Sequence, residues 1–235
     1  MNQRIHQLVR TLLPFPMRRW LRRVRDLQGP GDIFGRWSAG GLQAAISGAA
    51  TARRWRHVAI GVASTVEHGT HFHSNDDNAG IRIEVGDHCF IGQNCFFSAG
   101  EKIVLENYCT IGASCNLLAA GHRYDDPSVP YARAAVISYG RMQLDSNTWI
   151  GAGSTLVGDI QLGYGSIVAA GSLLRTPVPP LCLVAGNPAR IIKVFDWPTQ
   201  TWIRLPDNQP ACAAALARHL STIPTKPEYL SQLKA

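Results

Sequence analysis

The sequence predicts an all-β protein built as a parallel β-helix, and the main observation is a repeat of six. A branched apolar residue recurs at this interval from residue 144 to residue 174, at Leu144, Ile150, Leu156, Leu162, Val168 and Leu174. A helix repeats at 3.6 and a strand at 2, so neither explains a sustained interval of six. Glycine is frequent beside these positions, and the fourth position of a block is usually small, as at Thr148, Ser154, Ser166 and Ser172. This pattern is that of hexapeptide repeats.

The geometry of a three-sided prism explains the interval. Each six-residue block supplies one short strand and one corner, so three blocks complete a coil. Stacked coils lie about 4.8 Å apart, as strands do in any sheet. The prism therefore predicts that Leu144 stacks on Leu162 and Ile150 on Val168. Chance alternation in a glycine-rich loop is the alternative, and six positions in phase argue against it.

The same pattern recurs upstream with interruptions. Apolar-x-apolar pairs mark the starts of five coils, at Val58, Ile83, Ile103, Met142 and Ile160. The intervals between these starts are 25, 20, 39 and 18 residues, so the interval of 39 contains the largest excursion from the prism. That excursion begins just beyond Leu117. Loops on a rigid scaffold commonly carry function, which makes this one the first place to look for a site.

The basic character of the chain is confined to its N-terminal segment. The net charge is +7, but residues 1–56 contain eleven arginines and no lysine, against only Asp26 and Asp32. Residues 1–28 alternate leucines and arginines around Pro14 and Pro16, which predicts two short amphipathic helices. Such an arm can bind an anionic membrane surface, or it can be a solvated face with a subunit contact. It contains no nucleic-acid-reading module, so no nucleic acid is expected as a partner.

Composition also indicates the cellular compartment in which the protein is expected. The chain has no run of eighteen apolar residues, which argues against a membrane span, and its first residues lack the pattern of a secretory signal. Four of its six cysteines, Cys89, Cys95, Cys109 and Cys115, occupy fourth positions of hexapeptides and are interpreted as buried fillers. Zinc sites favour closer pairs. We expect a reduced, cytoplasmic protein, at the inner face of the membrane if the arm binds there.

These patterns divide the chain into three parts. Residues 1–57 form the basic arm, partly helical, although residues 42–57 also fit an imperfect first coil. Residues 58–193 form the β-helix, whose regular strands end at Pro177, Pro179 and Pro180 because proline cannot donate to a ladder. Residues 194–235 form a tail with a short helix near 210–220.

Four motifs resemble those of the hexapeptide-repeat acyltransferases, in particular the sugar O-acetyltransferase branch. These motifs are Gly121-His122, Asn147–Gly151, Ala169–Ser172 and Gly186–Arg190. That branch includes galactoside, maltose and colanic-acid-type acetyltransferases and is related to xenobiotic acetyltransferases. The resemblance covers roughly residues 58–193. It implies a left-handed coil, which the spacing alone does not determine, and a homotrimer whose active sites lie in grooves between subunits.

The resemblance also assigns roles to individual residues. It implies that His122 is the general base of acetyl transfer from acetyl-CoA to a sugar or glycan hydroxyl, without a metal. The chemistry suits histidine, which exchanges protons near neutral pH. Trp149 matches a residue that lines the active site, and we expect Tyr124 and Asp125 to contact the acceptor. The positions that match the acetyl-CoA groove are Ala152, Ala170, Arg175, Thr176, Arg190 and Lys193.

Alternatives remain for several of these residues. Arg175 and Lys193 also fit as ordinary solvated charges. Asp125 and Asp126 also fit as orienting partners of His122, as ligands of a sugar hydroxyl, or as turn formers before Pro127. The galactoside branch has a site asparagine where this chain has Gly92, so that contact is absent here or supplied by another residue.

Three other functions compete with polysaccharide or glycan acetylation. An antibiotic acetyltransferase would share the fold and the base. A zinc enzyme like the γ-type carbonic anhydrases would need three histidine ligands, for which His68, His71, His73 and His88 are the candidates. A non-catalytic scaffold would keep the prism without the chemistry.

Overall fold

The structure is a computed structural model that describes residues 39–41, 43–74, 80–206 and 209–233. The predicted helices of residues 1–28 lie outside the described residues. Within them, three parallel sheets form the faces of a three-sided prism. This architecture confirms the predicted fold class, a left-handed parallel β-helix.

The prism begins with a partial coil of two short strands, β1 (Ala45–Ile46) and β2 (Thr51–Ala52), followed by a 3-10 turn at Trp55–His57. The first two full coils contain β3 (Val58–Ile60), β4 (Thr65–Val66), β5 (His71–Ser74), β6 (Ile83–Val85), β7 (Phe90–Ile91) and β8 (Phe96–Ala99). The third contains β9 (Lys102–Leu105), β10 (Thr110–Ile111) and β11 (Asn116–Leu118). The long loop follows, with β12 (Ala120–His122), a 3-10 turn at Tyr131–Arg133 and β13 (Val136–Ser138).

Two further coils complete the regular prism. Their strands are β14 (Arg141–Leu144), β15 (Trp149–Ile150), β16 (Thr155–Val157), β17 (Ile160–Leu162), β18 (Ile167–Val168) and β19 (Leu173–Leu174). The chain then forms β20 (Cys182–Gly186), β21 (Ala189–Asp196) and β22 (Thr201–Arg204). The predicted tail helix is present as α1 (Gln209–Thr222), and α2 (Lys226–Ser231) follows it.

Each full coil gives one strand to each face. The first strands stack as face A, from β3 to β17, and the third strands stack as face C, from β2 to β19. Face B contains the second strands and is extended beyond β18 by β20, β21 and β22, of which β20 is parallel and the last two are antiparallel. Strands therefore occur on both sides of the boundaries at residues 57 and 193, and the division into domains stays a prediction.

The predicted stacking of the repeat residues is observed. Leu144 pairs with Leu162 on face A, and Ile150 pairs with Val168 on face B. All six repeat residues between 144 and 174 are at most 1% exposed. The core of the prism is therefore a set of apolar columns that run along its axis.

The small fourth positions bond neighbouring coils together. Their side chains donate to backbone carbonyls of the next coil, as Ser64 Oγ does to Gly86 O at 2.7 Å and Ser154 Oγ to Ala169 O at 3.0 Å. The thiols of Cys95 and Cys115 likewise donate to backbone carbonyl oxygens of the next coil, with Sγ–O distances of 3.2 Å. Fourth positions are small because the donor must reach the adjacent backbone inside a filled core. The four repeat cysteines are free and buried, as predicted for fillers.

The tail is fastened to the prism by a charged cluster around Glu106. Lys226 Nζ, on the first residue of α2, donates to this carboxylate at 2.6 Å. Ser146 donates to it through its backbone N–H and its hydroxyl, at 2.9 and 2.8 Å. Burial alone would raise the pKa of Glu106, but the bonds from Lys226 and Ser146 outweigh it and lower the pKa. Asp145 lies 3.6 Å from the same ammonium group.

Replacing Lys226 with methionine is expected to loosen this attachment. The change leaves the Glu106 carboxylate without its cation, which we expect to destabilise the protein by about 1–2 kcal/mol at pH 7. Because the pKa of Glu106 is lowered in the folded state, its contribution is full above its ordinary pKa and is lost as the pH falls through the folded value. The variant should therefore approach the wild type at acidic pH. Denaturant unfolding at pH 7 and pH 3 measures both effects, and equal losses at the two values would contradict the assignment.

Candidate active site

His122 ends the first strand of the hairpin that opens the long loop. The strands β12 and β13 are antiparallel, and His122 pairs with Val136. The hairpin is anchored at its base by Tyr139 N–H, which donates to Ala119 O at 2.8 Å. The His122 side chain is exposed to solvent at this position. A rigid coil and a short ladder thus hold an accessible imidazole clear of the prism.

The backbone of the loop determines which ring nitrogen of His122 is free. The Nδ1 atom lies 3.1 Å from the carbonyl oxygen of Ala134. A carbonyl oxygen can only accept, so Nδ1 must carry the hydrogen, and this assignment follows from the hydrogen bond. In neutral imidazole the lone pair then resides on Nε2. That nitrogen is the one available to take a proton from a bound molecule.

Gly121 packs against the ring of the half-buried Tyr139. A Cβ atom on Gly121 would lie 1.9 Å from Tyr139 Oη and 2.6 Å from Tyr139 Cζ. Contacts this short force the tyrosine ring to move. The absence of a side chain at Gly121 therefore lets the Tyr139 ring lie close to the backbone beside His122.

Replacing Gly121 with alanine is expected to displace His122 along with the tyrosine ring. A displacement of about 1 Å in a catalytic group can cost about 10²-fold in rate. With His122 in its predicted role as general base, the rate of acetyl transfer is expected to fall by about 10- to 10²-fold. In the double variant Gly121→Ala/Tyr139→Ala the added methyl group has room, so the rate should recover relative to Gly121→Ala. Failure of the second substitution to restore any activity would exclude this contact as the cause.

The other loop residues predicted to contact the acceptor are open to solvent. Tyr124 is 74% exposed, and the Asp125 carboxylate lies 3.7 Å from Arg123 Nε. Asp125 is therefore paired with arginine, whereas a backbone carbonyl orients the histidine. Asp126 closes a turn, since its Oδ1 accepts from the backbone N–H and the hydroxyl of Ser128 at 2.9 and 2.6 Å.

Trp149 and His122 lie on different sides of a single chain. The long loop leaves from face C and returns to face A, so His122 is at the edge opposite face B. Trp149 is on face B, where its side chain is 52% exposed. The two residues therefore occupy different sides of the prism.

The predicted small residues of the acetyl-CoA groove lie on the edge between faces B and C. Ala152 and Ala170 are exposed and occupy successive coils, and Gly171 N–H donates to Ala152 O at 2.9 Å. Beneath them, a Cβ on Gly151 would lie 2.4 Å from Ala170 N. Small residues therefore form a ridge along this edge.

The predicted basic residues are dispersed around the last coils. Arg175 and Thr176 follow β19 at the edge between faces C and A, and both are exposed. Arg190 and Lys193 belong to β21, where Lys193 pairs with Leu183. Gly92 lies on the edge between faces B and C, where a Cβ would meet Ala113 N at 2.7 Å. The catalytic, cofactor and acceptor roles of all these residues stay predictions.

The histidines of the zinc alternative have other partners. His71 Nδ1 lies 2.7 Å from Thr51 Oγ1, and the His88 ring stacks on Tyr108 at 5.2 Å. His68 Nδ1 lies 3.8 Å from Glu67 Oε2. Across the described parts of the chain, no group of three or more His, Cys, Asp or Glu side chains is arranged to hold a metal ion. In the same residues, no helix is both long and apolar enough to cross a membrane.

An aromatic cluster that the repeat pattern does not predict lies where the tail covers face B. Phe195 lies 5.4 Å from Trp202 and 6.1 Å from Trp197, measured between ring centroids, and Trp197 lies 6.1 Å from Tyr229. A signal was present, because Phe195 and Trp197 alternate in the manner of strand residues that share a face. The hexapeptide count stopped before this segment and left it in the tail.

No family model matches the chain. Its relatives include a provisionally named acetyltransferase of Staphylococcus aureus, 28% identical over 123 residues, or 52% of this chain and 59% of that protein. A chloramphenicol acetyltransferase of Klebsiella aerogenes is 29% identical over 108 residues, or 40% of this chain and 51% of that protein. The chain thus spans little more than half the length of these curated relatives.

Solved structures share the fold. AntD, an N-acyltransferase from Bacillus cereus in complex with dTDP and 3-hydroxybutyryl-CoA, has a TM-score of 0.57 at 18% identity, over 77% of this chain and 88% of that one. A hexapeptide-repeat-containing acetyltransferase of Vibrio cholerae, in complex with acetyl-CoA, has a TM-score of 0.51 at 23% identity, over 71% and 79% of the two chains. Fold and sequence similarity together support the family predicted from the four motifs, the hexapeptide-repeat acetyltransferases.

Proposed function

We propose that the chain transfers an acetyl group from acetyl-CoA to a sugar hydroxyl, with His122 as the general base. The observation that carries the proposal is the exposed imidazole whose Nδ1 is bonded to the Ala134 carbonyl at 3.1 Å. That bond leaves Nε2 free to accept a proton. The similar proteins named as acetyltransferases, and the CoA complexes of structures with this fold, support the choice of co-substrate.

The proposed reaction is a direct attack in a ternary complex. Nε2 of His122 removes the proton of the acceptor hydroxyl while the oxygen attacks the thioester carbonyl of acetyl-CoA. The tetrahedral intermediate collapses to an acetyl ester, and the sulfur leaves as the CoA thiolate. The imidazolium then returns its proton to that sulfur, which regenerates neutral His122. Holding the two substrates in line contributes to the rate together with proton transfer.

The residues proposed for acetyl-CoA fit the chemistry of its two ends. The ridge at Ala152 and Ala170 leaves room for the thin pantetheine arm to lie against the backbone. Arg175, Arg190 and Lys193 supply positive charge for the nucleotide phosphates, because guanidinium and ammonium groups form the stronger, charge-assisted hydrogen bonds. Thr176 adds a hydroxyl donor beside Arg175.

The proposed assembly is a homotrimer with its sites between subunits. Its support is geometric, since His122 and Trp149 occupy opposite sides of one prism and a neighbouring prism would bring them together. Light scattering of the purified protein should give three times the chain mass of 25.6 kDa. A monomeric protein that retains full activity would contradict this arrangement. Peripheral membrane contact through the N-terminal arm stays a prediction.

The reaction is tested by CoA thiol release from acetyl-CoA with separate acceptors. Neutral sugars, nucleotide sugars and lipid-linked glycans test the proposal, and an amino sugar and chloramphenicol test its rivals. Treatment of the product with alkaline hydroxylamine distinguishes the linkage, because it cleaves esters and leaves amides intact. We expect thiol release with a saccharide and a hydroxylamine-sensitive product.

Each other outcome selects a different function. A hydroxylamine-resistant product would make the chain an N-acetyltransferase. Turnover with chloramphenicol alone would favour the xenobiotic reaction, which the 29% identity to a chloramphenicol acetyltransferase makes the second candidate. Absence of thiol release with every acceptor would favour a non-catalytic scaffold.

A further inference from the structure

A pocket of about 390 Å³ lies between face B and the tail, on the side of the prism away from His122. Five aromatic residues line it, namely Trp149, Phe195, Trp197, Trp202 and Tyr229. The tail is held in place by two tyrosine hydroxyls, since Tyr164 donates to Pro224 O and Tyr229 accepts from the Asn147 amide. The pocket is thus a fixed feature of the fold, formed where α2 and the β21–β22 hairpin cover the outer surface of the sheet.

Neighbouring aromatic rings of the pocket pack edge-to-face against one another. Phe195 makes angles of 66° with both Trp202 and Trp197, and Trp197 makes an angle of 63° with Tyr229. These are edge-to-face contacts, so the rings pack as a rigid wall. Trp149 also lines the pocket and remains half exposed. The wall therefore offers apolar surface to a ligand on one side.

Amide groups provide the polar contacts. Gln200 donates its Nε2 to Trp197 O at 2.6 Å, which leaves its Oε1 as an acceptor. The Gln232 side chain is exposed at the end of α2, and an amide both donates and accepts. None of the twelve residues that line the pocket is charged. A few placed polar groups on an apolar wall are typical of sites for small molecules.

From this lining we infer that the pocket binds a neutral saccharide unit. One face of a pyranose ring carries C–H groups, which pack against an aromatic face, and its rim carries hydroxyls, which pair with amides. An uncharged lining leaves a phosphate or carboxylate without a partner, and burying an unpaired charge is costly. The chemistry of the wall and its rim thus matches an uncharged polyhydroxy ring.

An adenine nucleotide is the main rival occupant. Lys193 and Arg204 form a cross-strand pair two residues from Phe195 and Trp202, on the same face of the β21–β22 hairpin. A nucleobase and a sugar ring both pack against an aromatic face, so the distinction rests on the nucleotide phosphates, for which none of the twelve residues that line the pocket supplies a charge. The saccharide is therefore the occupant that the lining favours.

A saccharide in this pocket would restrict the chemical class of the acceptor, and this step rests on the proposed function. A saccharide unit held beside Trp149 in one subunit can continue toward the His122 loop of a neighbour. The acceptor class would then be a glycan of more than one sugar rather than a single hexose. Binding itself does not require catalysis, so the two proposals can fail separately.

The test is calorimetric titration of the full chain, without acetyl-CoA, using maltose, lactose and cellobiose as probes, and CoA and ADP as rivals. We expect at least one disaccharide to bind. Trp202→Ala should weaken that binding more than tenfold, and Trp202→Phe should retain part of it. Gln232→Ala, at an exposed position, should weaken it several-fold without affecting folding. Phe90→Ala is the matched control, because Phe90 is an exposed aromatic residue on the same face outside the pocket, and it should bind like the wild type.

Several results would overturn the inference. These are no binding of any disaccharide, equal binding by the wild type and both the Trp202→Ala and Gln232→Ala variants, or displacement of the bound disaccharide by ADP. A loss of oligomeric mass in Trp202→Ala would also overturn it, by identifying the pocket as a subunit contact. Disaccharide binding by a protein that shows no thiol release would instead reject the proposed function and leave the binding site standing.

Discussion

Replacement of His122 by alanine is expected to lower kcat/KM for acetyl transfer by about 10²- to 10⁴-fold, the usual contribution of a general base. In free energy this is about 2.7–5.5 kcal/mol of transition-state stabilisation. The effect should fall on kcat, because the imidazole acts while the acceptor oxygen attacks and is not proposed to bind the nucleotide. The KM for acetyl-CoA should therefore stay close to that of the wild type. Initial rates of thiol release at saturating and limiting acetyl-CoA separate the two quantities.

The control for this variant is another exposed histidine. His68 is on the surface beside Glu67, far along the chain from the loop. His68→Ala should retain full activity, which excludes a general effect of removing an imidazole. Activity within about tenfold of the wild type would reject His122 as the base.

The sequence predicts the prism well because its repeat is a packing rule as well as a pattern. Leu144 and Leu162 share a column only if three blocks of six complete one coil, and the register shows that they do. The position of the long loop follows from the same count, since the interval of 39 residues cannot fit within a coil of eighteen. The spacing thus predicts the three-sided prism and the position of the loop, but it does not predict the handedness of the coil.

The details of the candidate site depend on contacts that spacing does not encode. The partner that orients His122 is the backbone carbonyl of Ala134, twelve residues away. A carbonyl is present at every residue, so no motif marks the one that is used. The sequence suggested Asp125 for this role because carboxylates are the recognisable partners of histidine, but Asp125 lies beside Arg123.

The aromatic pocket also could not be predicted from the spacing of the repeats. Its residues come from face B and from a tail that folds back over it, and such long-range contacts are set by tertiary packing. The local sequence shows only the alternation of Phe195 and Trp197. This alternation predicts a strand, but it does not predict which surface the strand packs against. The hydrogen bond between Asn147 and Tyr229, 82 residues apart, shows how far the chain returns to form this surface.

Replacement of Phe97 by alanine is expected to destabilise the protein by about 3–5 kcal/mol, the usual cost of removing a buried aromatic side chain. Phe97 is fully buried in the column inside face C, between Phe72 in the preceding coil and Leu117 in the next. Its ring centroid lies 5.0 Å from that of Phe72. The coils are held apart by their backbone ladders, so they cannot collapse into the space that the ring leaves. Most of the cavity cost should therefore persist.

The matched control is Phe90→Ala in the same coil, because that ring is 42% exposed on the outer surface of face B. Its removal leaves no closed cavity and should cost less than about 1 kcal/mol. Denaturant unfolding at a fixed protein concentration compares the two variants, since the stability of an oligomer depends on concentration. Equal losses in the two variants would mean that the columns inside the prism contribute no more than its surface. A larger loss for Phe97 would show that the stacked apolar columns inside the prism stabilise the fold.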